Sequence, residues 1–416
     1  MAGGRWLTIY RRNTRPPVSA CYNVVMPTDR YVYLDYAAST PLDSNILAAM
    51  RPYFSDDFAN PSSLHQAGQR AEAAVERSRE TVASLLGAAP EEIVFTSGGT
   101  ESDNLALRGA ALAAARLRQA DHILVSAVEH HAVLQTARDL AARFGFTLEV
   151  LPVDGLGRVD PEEVRRRLRP MTAVVSVIYG NNEIGTINPV ADIGGVCRER
   201  GIPFHTDAVQ AAAHLPIDVD QISADLLSLG AHKFYGPKGV GVLYRRVSCP
   251  IDPMSTGGQQ EHGLRAGTPS VPLIVGFAEA LRIAQSDSAS ANRSALRDRL
   301  LAHVPEAAAD VRVTGHPVER LPNHASFAVL GVDGNHLVAA LDRAGFACST
   351  GSACKTGDPE PSEVVLALGL TPAWALGSLR VTLGKMTTSQ EVQAFLDVFP
   401  DILHDVRSVG GTALGS

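Results

Sequence analysis

LLSLGAHKFYGPKGVGVLY, residues 226–244, joins two short apolar runs through a turn rich in Gly and Pro. Each run, 226–229 and 241–244, has the length and composition of a buried strand. Similar runs alternate with helix-length segments along the chain, at residues 93–96, 122–127, 147–153, 173–179 and 204–208. This alternation predicts an α/β fold around a mostly parallel sheet, in which ligands bind at the carboxyl ends of the strands.

Helical periodicity on either side of these runs predicts two units. Apolar or small residues recur at the helical spacing over 67–86, and Gly87 then ends the pattern. A stretch rich in Ser, Ala and Asp at 285–295 precedes a second helical pattern that includes Leu296, and a smaller α/β unit is expected to begin there. The predicted bounds are 43–288 for the large domain and 31–42 with 289–416 for the small domain.

The composition and the net charge of the chain argue against several classes of protein. The 416 residues are 45% hydrophobic and 19% charged, as in an ordinary globular protein of about two to three domains. A net charge of −7 gives no overall positive field for nucleic acid or an anionic membrane, so neither is an expected partner. Five widely spaced cysteines favour neither a disulfide framework nor a zinc site, and they indicate a reducing, cytoplasmic location.

The first 30 residues contain five arginines and no long apolar run. Such a segment is compatible with a transit peptide or with an irregular N-terminal leader. Met26 stands shortly before the strand-like residues 31–34, which favours a start codon placed too early. We therefore predict that residues 1–30 are poorly ordered, and we base no fold prediction on them.

The stretch TSGGTES, residues 96–102, follows a predicted strand and precedes a predicted helix. Glycines at this junction bring backbone N–H groups against an anion, and Thr100 adds a hydroxyl, so the turn has the properties of a phosphate site. A Gly-Gly turn between strand and helix also occurs without a ligand. The motif alone leaves both interpretations open.

Two charged residues stand at predicted strand ends. A buried carboxylate at Asp207 needs a cationic partner, either the protonated ring nitrogen of a cofactor, a helix cap or an arginine. Lys233 is one of only four lysines among 37 basic residues. Among apolar groups a lysine has a lowered pKa and reacts with an aldehyde cofactor, although a surface lysine is the commoner case. Phosphate site, aspartate and lysine in this order are what a pyridoxal phosphate (PLP) enzyme requires.

With these residues in place, the sequence resembles the PLP-dependent cysteine desulfurases of the class V aminotransferase family, in their longer-loop housekeeping type. The resemblance covers about residues 33–388. The motifs are LDYAA (34–38), NPSS (60–63), TSGGTESDN (96–104), EH (129–130), NNEIG (181–185), DAVQ (207–210), HKFYGPKG (232–239), RAGT (265–268), GSAC (351–354) and RVTLG (380–384). It implies PLP fold type I, with a seven-stranded sheet in the large domain and an active site at the interface of a homodimer.

The resemblance implies a role for each matching residue. Lys233 forms an imine with PLP, Asp207 pairs with the pyridine nitrogen, and His130 stacks on the ring and takes part in catalysis, where residues alone favour a core histidine. The implied phosphate ligands are Gly99, Thr100, His232 and, across the dimer interface, Thr268. Asn182 and Gln210 are implied to bind the phenolic oxygen or the substrate. Arg380 is implied to bind the substrate carboxylate with its planar fork, the alternative being a surface salt bridge.

Cys354 is the residue that the resemblance implies for sulfur chemistry. It lies in a stretch rich in Gly, Ser and Pro, which predicts an exposed loop and a reachable thiol. L-cysteine would become L-alanine, leaving a persulfide on Cys354 for an iron–sulfur scaffold or a tRNA-thiolating enzyme. Cys348 is interpreted as a packing residue. The alternatives are a selenocysteine lyase or aminotransferase that does not depend on Cys354, and a weakly catalytic scaffold.

Two places depart from the family pattern. Gly230 stands where a serine hydroxyl helps to hold the phosphate, which predicts weaker cofactor binding or a water in its place. Residues 257–262, GGQQEH, stand where three successive glycines and an arginine are expected. This second departure predicts altered substrate access or an altered dimer edge.

Overall fold

The structure is a computed structural model, and it describes residues 31–286, 290–351 and 360–410. The predicted leader at 1–30 and the predicted sulfur acceptor Cys354 lie outside the described residues. Among the described residues, no helix combines the length and the apolar character needed to cross a membrane.

A seven-stranded sheet forms the centre of the larger part of the molecule. Its strands are β2 (Ile93–Thr96), β3 (His122–Ser126), β4 (Thr147–Leu151), β5 (Thr172–Ser176), β6 (Phe204–Asp207), β7 (Leu226–Gly230) and β8 (Gly241–Arg245). Their order in the sheet is β2-β8-β7-β6-β5-β3-β4, and β8 runs antiparallel to both of its neighbours while the other pairings are parallel. The mostly parallel α/β sheet predicted from the apolar runs is confirmed.

Helices cover both faces of this sheet. They are α1 (Ser44–Met50), α2 (Pro52–Ser55), α3 (Gln66–Leu86), α4 (Gly99–Arg118), α5 (His131–Phe144), α6 (Pro161–Arg167), α7 (Val190–Glu199) and α8 (Val271–Gln285). Apolar side chains of α3, α7 and α8 form a core against one face, and those of α4 and α5 form a core against the other. Strands covered on both faces are buried along their length, which explains their continuous apolar runs.

The helix predicted over 67–86 is observed as α3. Its buried positions include Ala71, Val75 and Val82, which lie on one helical face. Gly87 ends the helix with a left-handed backbone at φ 71°, a conformation that a residue without a Cβ adopts readily.

The smaller part of the molecule contains two small sheets and the helices that pack on them. Their elements are β1 (Val32–Tyr33), α9 (Ser290–His303), β9 (Val311–Val313), β10 (His324–Val329), α10 (Gly334–Arg343), β11 (Phe346–Ala347), α11 (Glu363–Ala367), α12 (Pro372–Leu376), β12 (Ser378–Thr382) and α13 (Ser389–Gly410). The order β12-β10-β9 is antiparallel, and β1 pairs with β11 in parallel. Val32 and Leu34 pack into the same core as Leu300 and Phe395. The domain bounds themselves stay a prediction.

Candidate active site

A cavity of about 550 Å³ lies at the carboxyl ends of the large sheet, and Arg380 of β12 closes one side of it. Nine of the eleven predicted site residues line it: Gly99, Thr100, His130, Asn182, Asp207, Gln210, His232, Lys233 and Arg380. Thr268 instead lines a neighbouring cavity of about 140 Å³, which shares Ser97, Gly239 and Val240 with the first. The eleventh, Cys354, lies outside the described residues.

The predicted phosphate turn lies where β2 leads into α4. The first amide groups of a helix have no carbonyl partner within that helix, so the start of this 20-residue helix suits an anion. A Cβ at Gly99 would lie 2.7 Å from Val209 Cγ2, so the close approach of the two segments requires glycine here. Glu101 fixes the turn by accepting the Ser97 N–H at 2.7 Å and the Arg265 Nε–H at 3.0 Å.

Gly230, the first departure from the family pattern, lies against this turn. A Cβ built on Gly230 would stand 3.3 Å from the backbone nitrogen of Gly99. A serine hydroxyl at this position would therefore be next to the predicted phosphate site, and the chain has none there.

The second departure lies beside the cavity. None of residues 257–262 lines the 550 Å³ cavity. Within this stretch Glu261 is buried and accepts both terminal nitrogens of Arg79, at 2.8 and 2.9 Å, and the Phe95 N–H at 2.8 Å. The stretch is thereby fastened to β2, and its predicted effect on the dimer edge stays a prediction.

Asp207 ends β6 and is buried at the floor of the cavity. Its Oδ1 accepts the Val209 N–H at 2.9 Å. Burial raises the pKa of this carboxyl group, and the nearby His130 and Lys233 act in the opposite direction. A cationic group in the cavity would stabilise the carboxylate, which fits a protonated ring nitrogen.

Sequence reasoning missed two buried acids beneath Asp207. Side-chain oxygens of Asp103 and Asp207 lie within 4.8 Å of each other and of a His130 ring nitrogen. Burial, reinforced by the charge of Asp207, raises the pKa of Asp103 far above its usual range, and burial raises the pKa of Glu129 to about 8. Burial therefore favours the neutral form of both acids, and neither is a strong competitor for a cation that Asp207 faces. The available signal was the position of Asp103 four residues after Gly99, on the same face of a helix.

Lys233 follows β7 and projects into the cavity. Its Nζ donates to the carbonyl oxygens of Ala37 at 2.7 Å and Ala38 at 2.9 Å. Burial, together with the positive charge of Arg380, lowers the pKa of Lys233 to about 8. An appreciable fraction of the side chain is then neutral near pH 7, as a nucleophilic lysine requires.

His130 caps the N-terminus of α5. Its Nδ1 accepts the Ala132 N–H at 3.1 Å, so the neutral ring carries its proton on Nε2. Burial lowers the pKa of His130, which keeps the ring neutral. Burial and the neighbouring lysines likewise lower the pKa of His232 to about 4.

Arg380 is buried, with 5% of its surface exposed, so the alternative of a surface salt bridge is wrong. Its Nη2 donates to Asp35 Oδ1 at 2.7 Å, and its Nη1 donates to the Asn182 carbonyl oxygen at 2.9 Å. Sequence reasoning missed Asp35, because nothing in its local sequence indicates an arginine 345 residues further on.

The cavity fits PLP by the chemistry of its residues. Lys233 suits the aldehyde, Asp207 suits the ring nitrogen, and the start of α4 suits the phosphate. Its volume of about 550 Å³ lies within the usual range for a cofactor site, about 300–1,000 Å³.

Comparison with known proteins gives a consistent result. The model of the Aminotransferase class-V family matches residues 32–395. The chain is 43% identical over 382 residues to cysteine desulfurase IscS of Dictyoglomus turgidum, covering 91% of this chain and 96% of the relative. It is also 43% identical over 390 residues to cysteine desulfurase IscS of Methanosarcina thermophila, covering 92% and 95%.

Solved structures resemble the chain over similar lengths. A NifS-like protein superposes with a TM-score of 0.83 at 34% identity, covering 90% of this chain and all of that one (100%). A structure described as SspA in complex with cysteine gives a TM-score of 0.75 at 38% identity, covering 85% and 98%.

Proposed function

The chain belongs to the aminotransferase class-V family, and from this membership we propose that it is a PLP-dependent cysteine desulfurase that transfers sulfur to Cys354. Its substrate is L-cysteine and its amino-acid product is L-alanine. The observation that carries the proposal is that Lys233, Asp207 and Arg380, which come from separate parts of the chain, line one cavity. Relatives 40–43% identical over about nine-tenths of the chain are cysteine desulfurases.

PLP bound in this cavity supplies an electron sink for negative charge at the substrate Cα. Asp207 provides the negative charge that keeps the ring nitrogen protonated. The start of α4, with Gly99 and Thr100, and His232 hold the phosphate. Asn182 and Gln210 lie along the cavity wall and orient cofactor and substrate.

The residues of the chain then bind the substrate and move its proton. Arg380 receives the α-carboxylate through its Nε–H, which has no partner among the described residues, and through the remaining Nη2 hydrogen. Lys233 Nζ, with a pKa of about 8, is basic enough to take the proton from Cα and weak enough as a base to return it. His130 lines the cavity, and its Nδ1 caps α5. Its other ring nitrogen, Nε2, carries the proton and is available as a donor.

Sulfur transfer is assigned to the Cys354 thiolate. The thiolate attacks the substrate sulfur, an S–S bond forms, and the substrate Cβ–S bond breaks with its electron pair remaining on the alanine fragment. Proton uptake at Cβ then gives L-alanine, and a persulfide remains on Cys354.

The covalent tether supports this assignment. The Gly351 carbonyl oxygen lies 3.5 Å from Arg380 Nη1. Three residues of extended chain span at most about 11 Å, so the number of residues between Gly351 and Cys354 is compatible with this assignment. Cys348 is buried at the end of β11, and burial raises the pKa of its thiol, which suits packing and not sulfur transfer.

The test is L-alanine release from L-cysteine, in the presence of a thiol reductant, by wild type, Cys354→Ala and Cys348→Ala carrying equal cofactor. We expect the Cys354 variant to lose release by about 100-fold or more, with the Cys348 variant close to wild type. Mass spectrometry should find one added sulfur atom on the Cys354 peptide of the wild type. Equal release by wild type and Cys354→Ala would instead favour a lyase that does not depend on this cysteine.

We further propose a cytoplasmic homodimer whose persulfide passes to an iron–sulfur scaffold or a tRNA-thiolating enzyme. Phe54, Phe58 and Leu64 are 60%, 74% and 93% exposed, a group of apolar side chains that a second copy would cover. Thr268 would then reach the phosphate of the partner's cavity. Sedimentation of the purified protein should give a dimer, and a monomer at micromolar concentration would contradict this part.

A further inference from the structure

Residues 34–38 contact two cations that line the cavity, Lys233 and Arg380. The carbonyl oxygens of Ala37 and Ala38 accept the Lys233 ammonium, and the Asp35 carboxylate accepts Arg380. The segment is held against β12, since the Thr382 N–H donates to the Leu34 carbonyl oxygen at 2.7 Å. The Asp35 carboxylate is therefore held beside Arg380 by the backbone of its own segment.

The hydrogen bonds of Arg380 show which of its N–H donors remain free to bind a substrate. A guanidinium group has five N–H donors. The Asn182 carbonyl oxygen accepts one hydrogen of Nη1, and the Gly351 carbonyl oxygen lies 3.5 Å from the same nitrogen. Asp35 Oδ1 accepts one hydrogen of Nη2. Within the described part of the chain, the buried Nε has no partner. The free donors, on Nε and Nη2, form one edge of the fork, and this edge suits a carboxylate.

A carboxylate bound at that edge would share Nη2 with Asp35. Two negative charges would then lie on one arginine, and both Asp35 and Arg380 are largely removed from solvent, with side chains 19% and 6% exposed. Like charges this close repel strongly where water is scarce. Asp35 holds the guanidinium in place and at the same time competes with any carboxylate that binds it.

We propose that Asp35 is a positioning residue for Arg380, which fixes the orientation of the guanidinium and sets a low affinity for the substrate carboxylate. The inference rests on the proposed function, in which Arg380 binds that carboxylate. Weak binding of the carboxylate is useful to a desulfurase, because L-alanine, the product, has the same carboxylate and must leave.

The two effects of Asp35 are separated by two substitutions. Asp35→Asn keeps an oxygen acceptor for Nη2 and removes the charge, so the carboxylate should bind more tightly. Asp35→Ala removes the acceptor as well, so the guanidinium loses its orientation and the carboxylate should bind more weakly. A residue with a merely structural role would move both variants in the same direction.

The experiment is calorimetric titration of the cofactor-loaded protein with L-alanine, which has the carboxylate and the amine but no sulfur. We expect Asp35→Asn to lower the dissociation constant by about 3- to 10-fold and Asp35→Ala to raise it by about 10-fold. With L-cysteine, Asp35→Asn should lower KM by a larger factor than it changes kcat. Thermal unfolding and cofactor content of each variant are measured first.

Arg380→Ala separates this inference from the proposed function. If that variant binds L-alanine as wild type does, Arg380 is not the carboxylate ligand, and that part of the proposed function fails. If Arg380→Ala weakens binding while both Asp35 variants match wild type, or shift together, the inference about Asp35 alone is overturned. In the Arg380→Ala background, Asp35→Asn should have no effect on binding.

Discussion

The two ends of the cavity are built in different ways. The cofactor end consists of the start of α4, Asp207 and Lys233, and each lies at or shortly after the carboxyl end of a strand in the seven-stranded sheet. Parallel strands bring their carboxyl ends to one edge, so the sheet itself assembles this end. The position of each residue follows from the topology.

The substrate end has no such common support. Asp35 comes from the segment after β1, Arg380 from β12 and the Asn182 carbonyl oxygen from the loop after β5. Asp35 and Arg380 are 345 residues apart in sequence and meet inside the smaller part, where the segment after β1 bonds to β12. Asn182 reaches Arg380 only when this part packs against the large sheet. The comparison teaches that the cofactor end depends on one sheet, whereas the substrate end depends on tertiary packing.

Lys233→Ala should produce the largest effect, and it breaks the cofactor end alone. Removing the amine removes both the nucleophile and the base, so L-alanine release should fall by about 10⁴-fold or more. The Asp35–Arg380 pair does not depend on the amine, so this end should remain assembled. The measurement is L-alanine release at saturating L-cysteine after incubation with PLP.

Lys385→Ala is the matched control. Lys385 lies outside the cavity, where its ammonium stands 4.6 Å from the centre of the Tyr235 ring. Activity within about twofold of wild type is expected there. If Lys233→Ala retained about a tenth of the wild-type activity or more, Lys233 would not be the reactive lysine.

Asp207→Asn should have the next largest effect, and it sharpens the comparison within the cofactor end. Loss of the charge facing the ring nitrogen should lower turnover by about 100-fold and weaken PLP binding. Burial raises the pKa of Asp103 and favours its neutral form, which an amide resembles in size and charge, so turnover of Asp103→Asn within about threefold of wild type is expected. Both are measured by steady-state kinetics and by PLP titration of the apoprotein. Equal loss of turnover in the two variants would contradict the special role of Asp207 at the cofactor end.

Much of the cofactor end could be predicted from the residues themselves. Asp207 and Lys233 stand at the ends of apolar runs, and a buried charge at a strand end needs a partner whatever the rest of the fold. The seven runs in the sequence correspond to the seven strands of the sheet. Local pattern was sufficient because these strands are buried on both faces.

The substrate end could not be predicted in this way. Arg380 was identified through family resemblance, and Asp35 was missed, since only packing brings the two together. Asp103 was missed for another reason. It lies on helix α4, and it comes close to Asp207 only because α4 packs on β6 and β7. Properties that depend on contact, such as a raised pKa, have no signature in local sequence.

A pH profile should link the two ends, because Lys233 is influenced by both. Its amine reacts with an aldehyde only when neutral, so uptake of PLP by the apoprotein should accelerate with pH and level off above about 8. At pH 7 the rate should be about tenfold below its plateau. Stopped-flow absorbance of the apoprotein mixed with PLP gives the profile.

The direction in which the midpoint of this pH profile moves shows how each residue of the substrate end changes the pKa of Lys233. The charge of Arg380 lowers the pKa of Lys233, so Arg380→Ala should move the midpoint of the profile to higher pH. The charge of Asp35 raises the same pKa, so Asp35→Asn should move the midpoint lower. An unchanged midpoint in both variants would mean that the two ends are electrostatically independent.

Gly230→Ser should have the smallest effect, and it tests whether the cofactor end is complete. The backbone at Gly230 has φ −143°, which any residue adopts. The new Cβ would stand 3.3 Å from the Gly99 nitrogen and 3.5 Å from Val209 Cγ1, so the turn must shift by a few tenths of an ångström. A hydroxyl placed beside the start of α4 adds a donor for the phosphate, and such a hydrogen bond is worth about 3- to 10-fold in affinity.

Gly230→Ala separates the hydroxyl from the crowding, because it adds the Cβ alone. We expect the alanine variant to bind PLP as wild type does or slightly more weakly, and the serine variant to bind more tightly than either. Dissociation constants from PLP titration of the apoproteins decide the order. If serine and glycine gave equal affinity while alanine gave less, a water would already occupy the place of the hydroxyl, and the cofactor end would be complete without it.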